Sequence, residues 1–275
     1  QIFYSLDKHE IVKSNVKTAW DLGFEATRDG WHIVLNSAKF MAAHATEDTD
    51  ISKDLDPQSA AWEWDAQSGN LDSTAIGDWR GKDNVFLIDR GYDYEANHLG
   101  YVKMKLLSVD ASEYKLVWMH SDDGISHTAT IFKDEHVNFV CFSFDGNGEV
   151  KEIEPPKSSW DICFTQYTHV FEGPIPYLVS GATTNPFGVE VAMHTENGFN
   201  EISFEQVTAF EFQSVVNVIG YNWKWYDFDA ASYLVNSSVT YVCKGVDEAF
   251  YKIRFIDFYD ENGEKGAPKF EVQRI

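Results

Sequence analysis

This chain repeats itself, and that repetition constrains it more than any other feature. The stretch "AWDLGFEATRDG" at 19–30 answers "SWDICFTQYTHV" at 159–170, setting Trp20-Asp21 against Trp160-Asp161. The flanks "QIFYSLDKHEIVKSNVKTAWDLGF" and "NFVCFSFDGNGEVKEIEPPKSSWDICF" align once a few residues are inserted. Further on, "IGDWRGKD" (76–83) answers "IGYNWKWYD" (219–227), and "YVKMKLLSV" (101–109) answers "YKIRFIDFY" (251–259). Four matches in one order, at offsets of 137 to 150 residues, are what a tandem duplication leaves behind. The expected organisation is two related domains, 1–125 and 126–275, joined through the polar stretch "HSDDGISHT" at 120–128.

Both halves read as β-structure. Runs such as "QIFYSL", "VFLIDR", "YKLVWM", "NFVCFSF", "VTYVCKG" and "KFEVQRI" are short and rich in Val, Ile, Phe, Tyr and Trp, with Gly, Asp, Asn or Pro between most of them. "VKMKLL" alternates Lys with apolar residues, the period of a half-buried strand. The glycines of "FDGNGEV" and "FYDENGEKG" supply the positive-φ positions that hairpin turns need. The one helical expectation is "QSAAWEWDAQSG" at 58–69. The fold class is therefore all-β: two related antiparallel β-sheet domains with few short helices.

Charge narrows the partners. The formal net charge is −22, a field that repels phosphate backbones and anionic membrane surfaces, so nucleic acid is not an expected partner. Cys141, Cys163 and Cys243 each lie in an apolar strand-like run with no second Cys or His at zinc-ligand spacing, and are expected as buried free thiols. No window has the length and apolarity of a membrane-spanning helix. The sequence opens on Gln1 without a basic or apolar leader and is read as a mature or trimmed product.

Signatures of catalysis are missing. There is no GxSxG, HExxH, P-loop or GxGxxG, and "HEIVK" at 9–13 lacks the second His of a zincin. With 44 Asp and Glu residues, no pair can be singled out as a glycosidase dyad. "DGNGE" at 145–149 lacks the closing Glu of a calcium loop and reads as a hairpin turn. The His and Met positions say more. His44 in "KFMAAHATED" and His194 in "VEVAMHTENGF" each follow a Met, Met41 and Met193, and each precedes an acidic turn. Both pairs fall between the Trp-Asp strand and the Ile-Gly…Trp segment of their copy, in comparable places. Imidazole and thioether are the side chains that hold heme iron axially. The remaining His residues, 9, 32, 98, 120, 127, 136 and 169, make weaker cases.

"SSWDICFTQYTHVFEG" (158–173), "IGYNWKWYDF" (219–228) and "FYKIRFIDFYDENGEKGAPKFEVQRI" (250–275) resemble the HmuY-like heme-binding proteins of Bacteroidetes. The first half carries the likeness more thinly, through Trp20-Asp21-Leu22 and Tyr101-Val102-Lys103. The resemblance implies an all-β, non-catalytic protein of the cell surface, secreted or lipid-anchored, that captures heme and passes it to a TonB-dependent outer-membrane receptor. It implies two axial His or Met ligands from loops. One should precede the Tyr-Lys strand by roughly sixty residues, near Met193 and His194 in one copy and near Met41 and His44 in the other. The second should fall about thirty residues before that strand, where neither copy has His or Met; Tyr221 and Tyr226 are the oxygen donors there. Arg80, Lys82, Lys224, Lys252 and Arg254 are the cations near enough in sequence to meet heme propionates. The alternative is a surface binding module that keeps the fold without heme and takes a glycan, peptide or other ligand on Trp62, Trp64, Trp223 and Trp225.

Overall fold

A computed structural model describes every residue of the chain except Asn197. In chain order the strands are β1 (Ile2–Ser5), β2 (Glu10–Ser14), β3 (Leu22–Glu25), β4 (Ile33–Leu35), β5 (Ala42–Ala45), β6 (Phe86–Asp89), β7 (Tyr101–Val109), β8 (Glu113–His120), β9 (His127–Phe132), β10 (Phe139–Ser143), β11 (Glu149–Lys151), β12 (Ile162–Phe171), β13 (Ile175–Thr184), β14 (Glu190–His194), β15 (Lys224–Asp227), β16 (Ser232–Val235), β17 (Thr240–Lys244), β18 (Phe250–Tyr259) and β19 (Lys265–Arg274). Among the described residues the only α-helix is one turn, Phe204–Val207. The helix expected over 58–69 is a 3₁₀ turn at Pro57–Ser59 followed by extended chain. Tertiary pairing overrides local propensity there: Glu63 exchanges two backbone hydrogen bonds with Ala43, and Trp62 stacks on Tyr101 at 5.9 Å.

The strands form antiparallel sheets ordered β13-β12-β1-β2, β11-β10-β3-β4, β14-β17-β18-β19 and β5-β6-β7-β8-β9, with a separate β15-β16 hairpin. The chain divides into two compact units. The first comprises 1–14, 157–165 and 180–275; the second comprises 15–156 and 166–179. The expected split at 125/126 is thereby corrected. Residues 120–128 are the turn of the β8–β9 hairpin, whose strands pair from Glu113↔Phe132 to Trp118↔His127, so this stretch connects no domains.

The reason is an exchange of hairpins. Hairpin β1–β2 precedes the first Trp-Asp in sequence, but β1 pairs with β12 beside the second, in register Phe3↔Cys163. Hairpin β10–β11 precedes the second Trp-Asp, but β10 pairs with β3 beside the first, in register Cys141↔Gly23.

Both units are built on the same corner. Asp21 N–H donates to the Phe142 carbonyl and Asp161 N–H to that of Tyr4, each at 2.8 Å. One carboxylate oxygen of Asp21 accepts from Phe144 N–H, and one of Asp161 from Leu6 N–H, each at 2.7 Å. A buried Asn completes the corner. The Asn36 amide donates to the Lys17 and Trp20 carbonyls (2.9 and 2.8 Å) and accepts from Ala38 N–H. The Asn185 amide donates to the Lys157 and Trp160 carbonyls (2.6 and 2.7 Å) and accepts from Phe187 N–H. Buried polar groups must be paired this way, because water is not there to do it.

Each unit has its own aromatic core. In the second unit Phe24, Tyr114, Trp118, Phe142 and Phe144 meet mostly edge to face, with centroids 5.1–6.4 Å apart. In the first unit Trp223 lies flat on Phe255 at 4.0 Å, with Tyr241 and Tyr251 fully buried in the same cluster. Each such ring contributes about 1.5–3 kcal/mol by burial. The three cysteines are buried and joined in no disulfide among the described residues, as their apolar surroundings in sequence predict.

Candidate functional site

Each unit sends one long excursion out of its principal sheet, between the outermost strand and the next. In the second unit it runs from Ala45 to Phe86; in the first, from His194 to Thr240. Both return and pair with the strand they left, through Ala43↔Glu63 in one unit and Val191↔Gln213 in the other. These bridges fix which residues correspond. A buried lysine then ties each excursion down from the second Tyr-Lys-type strand. Lys103 Nζ donates to the Lys53 carbonyl (2.9 Å) and Lys252 Nζ to the Ile202 carbonyl (3.0 Å). In sequence "VKMK" reads as a half-buried strand. Lys103 and Lys252 lie on the face opposite the core residues Val102, Met104, Tyr251 and Ile253, and that second face is buried too, which the alternation does not record.

The bridges also reset the His and Met alignment. With Ala43 matched to Val191, His44 corresponds to Ala192 and His194 to Thr46, while Met41 corresponds to Val189 and Met193 to Ala45. The two pairs therefore do not occupy comparable places. Met41 is 1% exposed and packs in the core, whereas Met193 is 58% exposed. Four positions separate the two methionines in the aligned strands, an offset that sequence proximity to a His does not reveal.

His44 is partly exposed on β5, and its Nδ1 lies 3.2 Å from the Ala61 carbonyl. A carbonyl can only accept, so Nδ1 donates there, and in a neutral ring Nε2 is then the nitrogen with the lone pair, the arrangement of a metal-ligating imidazole. His194 ends β14, half-buried, with its ring 4.9 Å from that of Phe210. Met193 and His194 are adjacent in one strand, opposite Tyr241 and Thr240, so their side chains point to opposite faces. They cannot ligate one iron together. Tyr221 sits in the turn before β15, and burial raises its hydroxyl pKa, which disfavours a phenolate ligand. Tyr226 is on β15, packed edge-on against Tyr233.

The cations named from sequence are mostly engaged. Arg80 grips Asp78 through two 2.9 Å hydrogen bonds and lies over the Trp31 ring. Arg254 pairs with Glu271. Lys252 is spent on Ile202. The Lys224 ammonium is buried against Trp223 and Phe258, donates to the Ser180 carbonyl, and has its pKa pushed down to about 8 by burial. Lys82 is exposed. Of the tryptophans, Trp223 is core, Trp62 and Trp64 are half-buried, and Trp225 is half-exposed opposite Leu234. Among the described residues no group of three or more His, Cys, Asp or Glu side chains is placed to hold a metal ion, and no helix is long and apolar enough to cross a membrane.

No curated protein matches this chain. Among solved structures, the crystal structure of apo PinO from Porphyromonas gingivitis overlaps 63% of this chain and 97% of its own at 17% identity, with a TM-score of 0.28, a superposition too loose to argue from. The family model described as HmuY protein matches residues 1–272, both compact units together. The chain belongs to the HmuY family.

Proposed function

We propose that this protein is a non-catalytic heme-binding protein of the cell surface, working in heme and iron acquisition. The observation that carries the reading is the family match over residues 1–272. The donor set supports it in part. His44 and His194 each stand at the root of an excursion, beside an aromatic or a carbonyl that orients the ring. Bound heme would supply the iron and its planar macrocycle. His44 Nε2 in the second unit, and either His194 or Met193 in the first, would each supply one axial donor to a heme held by its own unit. Met41 takes no part, because it is core, and Tyr221 is the weaker oxygen donor. An extracellular or outer-membrane location, a lipid anchor and delivery to a TonB-dependent receptor complete the proposal. So does descent of the two units from one duplicated ancestor, supported by the matched Asp–Asn corners.

Titration of the protein with hemin tests this reading. A Soret shift is expected. His194→Ala or His44→Ala should weaken binding by about 100-fold, the upper end of what losing even a supporting group costs a metal site. A Soret band that does not shift, or that ignores both substitutions, overturns the site. A second reading, the same fold without heme, is favoured by one observation: Lys224 and Lys252, two of the cations best placed in sequence for propionates, are buried on carbonyls.

A further inference from the structure

The segment Gly91–Gly100 of the second unit has no equal in the first. Strand β17 turns into β18 through Gly245–Ala249, closed by Gly245 N–H to the Ala249 carbonyl at 2.8 Å. Strand β6 instead reaches β7 through "GYDYEANHLG". The longer loop is held firmly. Gly91, at φ 65, lies under the Lys39 carbonyl, where a Cβ would stand 2.0 Å from the oxygen, so no larger residue fits. Tyr92 N–H donates to that carbonyl (2.9 Å) and Leu99 N–H to the Gly91 carbonyl (2.8 Å). The Asp93 carboxylate accepts from Glu95 N–H, Asn97 N–H and the Asn97 amide. His98 hydrogen-bonds Asp89 at 2.9 Å and packs edge-on against Tyr92. Ala96 and, beside the loop, Phe40 are held in left-handed backbone conformations (φ 64 and 66), which non-glycine residues adopt only when their surroundings impose them.

This rigid loop nevertheless turns Tyr94 (73% exposed) and Tyr92 (43%) outward. The two rings border a cleft of about 440 Å³ whose other walls include Lys17, Phe40, Gln166 and Leu178. Small-ligand pockets span roughly 300–1,000 Å³ and pair aromatic walls with a few polar groups. Lys17 is the cation of the cleft. Its Nζ gives one of three N–H donors to the Ala38 carbonyl at 3.1 Å, and burial lowers its pKa. Lys39, deeper in the wall, is already paired with Asp21.

We propose that this cleft binds a saccharide, with Tyr92 and Tyr94 stacking on the apolar faces of sugar rings and Lys17 and Gln166 meeting their hydroxyls. The chemistry selects the class. A sugar carries both a C–H face and a rim of hydroxyls, whereas a purely apolar ligand would strand the Lys17 donors. An anion would have to approach a protein of net charge −22. None of these residues belongs to the excursions around His44 and His194, so the inference stands apart from heme binding.

A glycan microarray probed with the whole protein, followed by calorimetry with the saccharides it retains, tests this. Tyr94→Ala and Lys17→Met should each weaken binding by about tenfold or more, with the hemin Soret response unchanged. An array without retained glycans, or retained binding indifferent to both substitutions, overturns the proposal. So does a result in which the two substitutions alter hemin binding instead, since the cleft would then belong to heme. Unchanged far-ultraviolet dichroism of each variant separates lost binding from lost fold.

Discussion

The two Asp–Asn corners share a skeleton and differ in charge. Asp21 receives, besides its backbone donor, the Lys39 ammonium and a two-pronged grip from Arg90 (3.2 and 2.9 Å), and Arg90 also reaches Asp145 at 2.7 Å. Among the described residues Asp161 meets no cation in its place. Its second oxygen accepts from Val246 N–H at 2.8 Å, and burial raises its pKa, with the charges of Asp247 and Asp7 adding to the rise. The corner thus works as a set of backbone hydrogen bonds, and the buried charge cluster is an elaboration confined to one unit. The difference follows from what comes after the strand. Arg90 and Lys39 flank the long Gly91–Gly100 loop, while the short turn after β17 presents a backbone amide instead.

This contrast breaks most clearly at Asp21. Asp21→Asn leaves Lys39 buried without its counter-charge and Arg90 with only Asp145, and should cost about 3–5 kcal/mol of stability, read by chemical denaturation. Adding Lys39→Met should recover part of the loss; no recovery would mean that the charge cluster is not its source. Next in size, Asn36→Ala and Asn185→Ala each strand two carbonyls and an N–H, and each should cost about 2–3 kcal/mol. Equal costs would sharpen the equivalence of the corners, and a large inequality would break it. Smallest is Asp161→Asn, at about 1 kcal/mol near neutral pH, since no cation loses a partner.

The pH dependence differs in sign. For Asp161 the folded pKa lies above the unfolded value near 3.9. Its stabilising contribution is therefore full below that unfolded value and is lost as pH rises through the folded one. For Asp145, burial pushes the carboxyl up, but the Arg90 hydrogen bond and charge outweigh it and hold the folded pKa below the usual range. Its contribution is present above the unfolded pKa and is lost as pH falls through the folded one. Stability-versus-pH curves of wild type minus Asp161→Asn, and of wild type minus Asp145→Asn, should slope in opposite directions below pH 6.

Much of this was legible in the sequence. The β-branched and aromatic runs and the apolar cysteines announced the sheets and the buried thiols, and the matched Trp-Asp pairs marked where the two corners lie. "VKMK" read as a half-buried strand, and the burial of Lys103 on its second face was not legible. The hairpin exchange was not legible, for a physical reason. When two strands of similar pattern are offered two similar partners, alternation of apolar residues satisfies either pairing. The Met41/Met193 mismatch was hidden because the two lie four positions apart once the bridges align the strands, Met41 before β5 and Met193 within β14, an offset that nearness to a His does not record. The Tyr92/Tyr94 cleft was missed because its rigidity comes from Gly91 passing beneath a distant carbonyl, which no local motif records.

The exchange of hairpins has a consequence for how the molecule is made. Strand β1 cannot pair with β12 until residues 162–164 have been synthesised, and Leu6 must then find Asp161. Through most of translation the first hairpin is an apolar ribbon with open edges, a high-contact-order element exposed to wrong partners. The nascent β3 strand, which follows it by a few residues, is the nearest such partner and matches the pattern β1 is built to meet. A probe on Gln1 would therefore report the completion of the unit that contains β19, even though β1 is made long before that strand.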